Sequence, residues 1–170
     1  MKILTLSLIM FCVLGNAQDK RFTLSARTEL ADKNTHTEVF DYGFNIGVEI
    51  EYQMNLLFFN AEVYYFPDLN GIDYTHFQGT VLGINYHSRF DEWRVYASFI
   101  RPGFIIREGG PHALFGQDIG VEWYFNEKNY IGIKTGYDIK AESKVWGDDS
   151  SHDVWYVSIK FGFVLKHIRN

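Results

Sequence analysis

The chain of 170 residues contains one cysteine and three prolines. Beyond its N-terminal segment no stretch is greasy enough for a membrane-spanning helix, and mean hydropathy is −0.16. The single cysteine, Cys12, lies inside that N-terminal segment, so the rest of the chain has no thiol and no disulfide to hold it together. Positive charge is also in short supply: 16 Lys and Arg stand against 21 Asp and Glu, a net charge of −5. That sign argues against a nucleic-acid partner engaged through phosphate neutralisation. With 46% apolar residues the chain is too hydrophobic for disorder, and no linker, charge run or low-complexity stretch divides it. One domain is expected. What the chain has in excess is aromatic: 15 Phe, 11 Tyr and 4 Trp, a balance that favours strands.

Residues 1–17 read as a signal peptide. Met1-Lys2 supplies the positive start, Ile3 to Leu14 the apolar core, and Gly15-Asn16-Ala17 the small-x-small pattern that places cleavage before Gln18. Phe11 precedes Cys12 where a lipoprotein signal needs a small residue, which argues against lipidation. Residues 18–170 remain as the mature domain.

From residue 21 onward apolar and polar residues alternate with period two, in segments at about 21–31, 42–53, 57–66, 74–88, 93–106, 114–125, 130–142 and 154–166. The second shows it best. Tyr42, Phe44, Ile46, Val48, Ile50 and Tyr52 take one face, and Gly43, Asn45, Gly47, Glu49, Glu51 and Gln53 the other. A break is expected at Arg101-Pro102-Gly103, since Pro cannot donate to a ladder. The apolar faces carry no charge. The polar faces carry Arg27, Glu29, Glu49, Glu51, Glu62, Arg94, Asp118, Glu122, Lys134, Asp138, Lys140 and Lys160. They also hold Gly43, Gly47, Gly79, Gly83, Gly116, Gly120, Gly132, Gly136 and Gly162. Glycine is costly on a water-facing strand but makes room in the bore of a narrow barrel. Aromatics collect near segment ends, among them Tyr52, Trp93, Trp123, Tyr130 and Phe163 toward one rim and Trp155 toward the other, as membrane-interface girdles would require. The pattern predicts an all-β protein: an eight-stranded antiparallel up-and-down transmembrane barrel with charges inside and an apolar surface on lipid. Twelve charges in so narrow a bore must pair, which predicts a plugged interior.

An even strand number puts both chain ends on one side, with short turns at Met54-Asn55-Leu56, Ser88 to Glu92 and Asn126 to Asn129. Longer links, Ala31 to Asp41, Pro67 to Asp73, Arg107 to Ala113 and Ser143 to Asp153, fall on the other side. In this architecture the chain resembles the small eight-stranded outer-membrane barrels of the OmpA/OmpX-like kind, a porin-family barrel of Gram-negative bacteria. The Asn16-Ala17-Gln18 junction is similar to signal ends of Bacteroidetes-type proteins. The resemblance implies an outer-membrane location, outer-membrane lipid around the barrel, handover to the barrel assembly machinery, and a structural or surface-interaction role without catalysis. It names no surface ligand. Such barrels usually end in an aromatic residue, whereas here Phe163 stands seven residues before the end.

Two alternatives stay open: an outer-leaflet lipid-modifying enzyme of acyltransferase or deacylase type, and a soluble periplasmic lipocalin-like barrel, which would turn its apolar faces inward. Ser151-His152-Asp153 has the residue types of a hydrolase triad, but adjacent residues cannot converge as a relay. Tyr86-His87-Ser88 falls near the wrong rim for outer-leaflet chemistry. His36, His76, His112 and His152 map to the outer end without ligand spacing, and Asp68-Leu69-Asn70-Gly71-Ile72-Asp73 lacks the acids of a calcium loop. No catalytic, cofactor-binding or metal-binding residue is assigned, and no cofactor is expected.

Overall fold

Period-two alternation over stretches of 12 to 16 residues gives eight long strands. They are β1 (Asp19–Asp32), β2 (Tyr42–Met54), β3 (Leu57–Leu69), β4 (Ile72–His87), β5 (Trp93–Arg107), β6 (Gly110–Tyr124), β7 (Asn129–Lys140) and β8 (Val154–Arg169). The computed structural model describes residues 19–32, 42–69, 72–107, 110–140 and 154–169. Every neighbouring pair is antiparallel, and β1 pairs with β8, so the sheet closes into a barrel in simple sequence order. Closure removes the exposed edges that an open sheet of this length would carry.

Both ends of the described chain lie at one rim, together with the three tight turns. Asn55 takes a left-handed conformation (φ 51°) between the paired residues Met54 and Leu57. In the β4–β5 turn the Ser88 hydroxyl accepts hydrogen bonds from the backbone N–H groups of Glu92 and Trp93, and Asp91 is left-handed (φ 57°). Asn126 does the same service in the β6–β7 turn, its side-chain oxygen accepting from the Lys128 and Asn129 N–H groups.

At the opposite rim two expected links shrink. Leu69 pairs with Ile72, and Arg107 pairs with Gly110, so most of 67–73 and 107–113 is strand. A register shift between Phe66 and Leu69 lets Pro67 sit where no ladder bond is demanded of it.

Three further register shifts decide which way side chains point. In β5 the shift lies between Ser98 and Arg101, just before the expected break. Phe99 and Ile100 both face outward there, and the bore-facing positions pass from even to odd numbers. In β4 a matching shift at Leu82, which pairs with Ile100, makes the same exchange. Gly79 therefore lies on the outward side with Phe77 and Val81, contrary to its expected place on the polar face, while Gly83 faces the bore. The third shift, between Phe22 and Thr23 on β1, leaves Leu165 unpaired on β8.

Candidate functional site: the charged bore

The burial pattern is the reverse of a water-soluble protein's. Ile46 is 64% exposed, whereas Glu49, three residues on, is 1% exposed. Val121 and Ile159 are likewise exposed, and Lys134 is buried. A lipocalin-like barrel requires the opposite disposition. Among the strand residues whose side chains are described, Lys20 and Lys166, both at the rim bearing the chain ends, are the charged ones on the outward face.

Seven of the glycines placed on the polar faces open the bore to larger groups. A Cβ at Gly47, Gly83, Gly120, Gly136 or Gly162 would collide with the ring of Tyr64, Phe58, Tyr96, Tyr156 or Tyr130, respectively. In every case the ring belongs to the residue directly opposite on the neighbouring strand. Gly116 and Gly132 instead make way for charged side chains, Asp138 at the first and Glu122 and Lys160 at the second.

The space so created is occupied by ion pairs. Glu62 receives Arg27, Lys134 (2.9 Å) and Arg101 (3.2 Å). Arg27 also reaches Glu29 at 2.9 Å and Glu49 at 3.5 Å. Lys134 and Arg101 meet again at Asp118, each at 3.1 Å. Glu49 accepts from Lys160 at 2.8 Å, and Lys160 continues to Glu122. Arg94 grips Glu51 with two parallel hydrogen bonds, 2.8 and 2.9 Å, and holds Glu122 at 2.9 Å. Asp138 is bonded by Gln78 at 2.9 Å, and Gln78 accepts from Arg101 at 2.8 Å. The chain of contacts is continuous from Glu29 and Asp138 to Glu51, Gln53 and His87. Aromatic faces complete it: Arg94 lies 4.7 Å from the Phe58 ring and 4.6 Å from Tyr96, and Arg27 lies 4.1 Å from Tyr64. Every cation of this lattice thus has carboxylates around it, the condition under which buried charge is tolerated.

Of the twelve polar-face charges, Arg27, Glu29, Glu49, Glu51, Glu62, Arg94, Asp118, Glu122, Lys134, Asp138 and Lys160 are all buried in the bore. The side chain of Lys140 lies outside the described residues. Arg101 belongs to the lattice as fully as any of them. Simple alternation puts it on the outward face; the adjacent apolar pair Phe99-Ile100, one residue too many for period two, is the signal that its phase has shifted. Arg21 and His76 are also buried, and Arg21 pairs with Asp91 of the β4–β5 turn at 2.8 Å.

Tyr52, Trp93, Trp123, Trp155 and Phe163 stand on the outward face, Trp93 stacked on Trp123 at 6.1 Å. Tyr130 does not. Its expected place at the outward rim is corrected by the structure: it is fully buried, packed over Gly162 and against Tyr124 at 5.0 Å. Its number has the parity of Gly132 and Lys134, so strand geometry turns it into the bore.

Ser151-His152-Asp153, His36 and the side chain of His112 lie outside the described residues. Ser88 is committed to the turn through the two backbone bonds above. Among the described residues no group of His, Cys, Asp and Glu could hold a metal ion.

No protein-family model and no curated protein matches the chain. Solved structures do. Neisserial surface protein A (NspA) aligns over 89% of this chain and 97% of its own, with a TM-score of 0.51 at 12% identity. The N-terminal β-barrel domain of Pseudomonas aeruginosa OprF aligns over 86% of this chain and 96% of its own, with a TM-score of 0.50 at 11% identity. The likeness is one of fold: the chain is an eight-stranded, all-antiparallel closed barrel of the kind seen in small outer-membrane proteins.

Proposed function

We propose that this chain is an outer-membrane barrel whose outward face lies in lipid, whose bore is plugged by its ion-pair lattice, and whose role is structural or surface-interacting rather than catalytic. The observation that carries the reading is the inversion of burial: a continuous apolar exterior around a bore of paired charges. Three polar side chains on that exterior support it. Thr28 and Thr135 donate to the carbonyls of Asn45 and Tyr156 at 2.8 and 2.9 Å, and Gln117 donates to the Phe99 carbonyl at 3.2 Å. Each satisfies itself on the backbone, as hydrocarbon surroundings demand. Export by residues 1–17 and delivery by the barrel assembly machinery belong to the same proposal. An enzymatic role draws no support from the described residues, whose buried carboxylates are engaged with cations.

Cell fractionation tests the location. The protein is expected in the membrane pellet after alkaline extraction and as a heat-modifiable band in unboiled detergent gels; recovery in the soluble periplasmic fraction would overturn the reading. In planar bilayers the purified barrel is expected to give no stable conductance steps, and steady channel openings would refute the plug.

A further inference from the structure

The last strand changes phase where it meets the first. Phe22 stands opposite Lys166 and Thr23 opposite Val164, so Leu165 is an extra residue. Through Tyr156, Ser158, Lys160 and Gly162 the even-numbered side of β8 faces the bore. Unbroken alternation would send Lys166 in after them. The bulge swings it out instead, to an exposed position beside Phe22, which is how bulges re-aim side chains.

Lys20, on the same outward face of β1, stands opposite Ile168. Lys20 and Lys166 are therefore diagonal cross-strand neighbours, with backbones about 7–8 Å apart and long side chains that converge easily. Lys128 joins them from the β6–β7 turn, its carbonyl accepting the Val164 N–H at 2.7 Å and its side chain exposed. None of the three lysines is in an ion pair among the described residues. The acids nearest in sequence, Asp19 and Glu127, flank Lys20 and Lys128. Next to the lysines, toward mid-barrel, is an outward aromatic surface: Phe161 and Phe163 meet edge to face at 5.0 Å, and Phe125 stacks on Phe161 at 6.1 Å. Cations beside an apolar, aromatic wall match a molecule with an anionic head and hydrocarbon tails.

We propose that Lys20 and Lys166, with Lys128 at their edge, hold the phosphate of an anionic glycerophospholipid whose acyl chains lie along Phe22, Phe161, Phe163 and Leu165. The assignment rests on the membrane reading above. It adds selectivity for a lipid of net negative charge at one place on the rim, since a zwitterionic headgroup brings its own cation to the phosphate.

The test is native mass spectrometry of the full barrel released from detergent with phosphatidylglycerol or phosphatidylcholine added. Phosphatidylglycerol adducts are expected to dominate. Lys20→Gln and Lys166→Gln are each expected to lower that preference roughly fivefold, and the double variant to abolish it. Arg89→Gln, which removes an exposed cation from the β4–β5 turn of the same rim, is expected to change nothing. Equal binding of both lipids, a preference that survives the double variant, or an equal loss in Arg89→Gln would each overturn the site. Displacement of the lipid by inorganic phosphate alone would make it a free-anion site and also overturn it. Refolding into phosphatidylcholine vesicles separates the two proposals: failure to insert removes the membrane reading and this one together, whereas insertion without headgroup preference removes only this one.

Discussion

Glu62 is a junction of the bore, with Arg27, Arg101 and Lys134 all bonded to one carboxylate. Glu62→Ala leaves three buried cations short of a partner, and the barrel is expected to lose about 3–5 kcal/mol. Urea unfolding in vesicles, followed by tryptophan fluorescence, measures it; a change within about 0.5 kcal/mol would mean the charges are solvated rather than locked. Most of this lattice is readable in the sequence, because a residue's parity within its strand fixes its side. The same rule, applied strictly, places Tyr130 inside. An aromatic near a strand end invites assignment to a rim, yet side is set by phase and not by residue type.

At the scale of the strand pair, glycine and ring form a unit. Gly162→Val puts a branched side chain where the Tyr130 ring lies, and overpacking of this kind costs about 1–3 kcal/mol. Adding Tyr130→Ala frees the space, so the double variant is expected to be more stable than the sum of the two single losses, a coupling that a double-mutant cycle in urea reads directly. Additive losses would show that ring and glycine do not share the space. The strands themselves are legible from alternation alone. The bulges are harder to place, because a phase slip shows only as two neighbouring apolar residues, Val81-Leu82 or Phe99-Ile100. Such a pair also fits a strand end or a locally irregular stretch. Arg101 depends on one of these slips, and without it a guanidinium would face outward in the middle of the apolar surface. The reach of β3 and β6 past Pro67 and Pro111 was hidden for a related reason: proline signals a missing donor but not whether the ladder needs one there.

For the molecule as a whole, the decisive quantity is the surroundings of its exterior. Ile133 is 57% exposed on β7. Ile133→Arg is expected to cost about 2–4 kcal/mol in a bilayer, whereas on a water-facing surface it would change stability by about 0.5 kcal/mol or less. Comparing urea midpoints of the two proteins in vesicles decides between those surroundings. The pairing of Asp19 with Arg169 has a further effect, on the order of events during biogenesis. The opening strand waits for the final one, nearly the full length of the polypeptide away. Until β8 is synthesised, Ser25 and Arg27 sit on an unzipped border, and Glu49 lacks the ammonium of Lys160. A product terminated before β8 would thus lose its seam and part of its electrostatic cement at once.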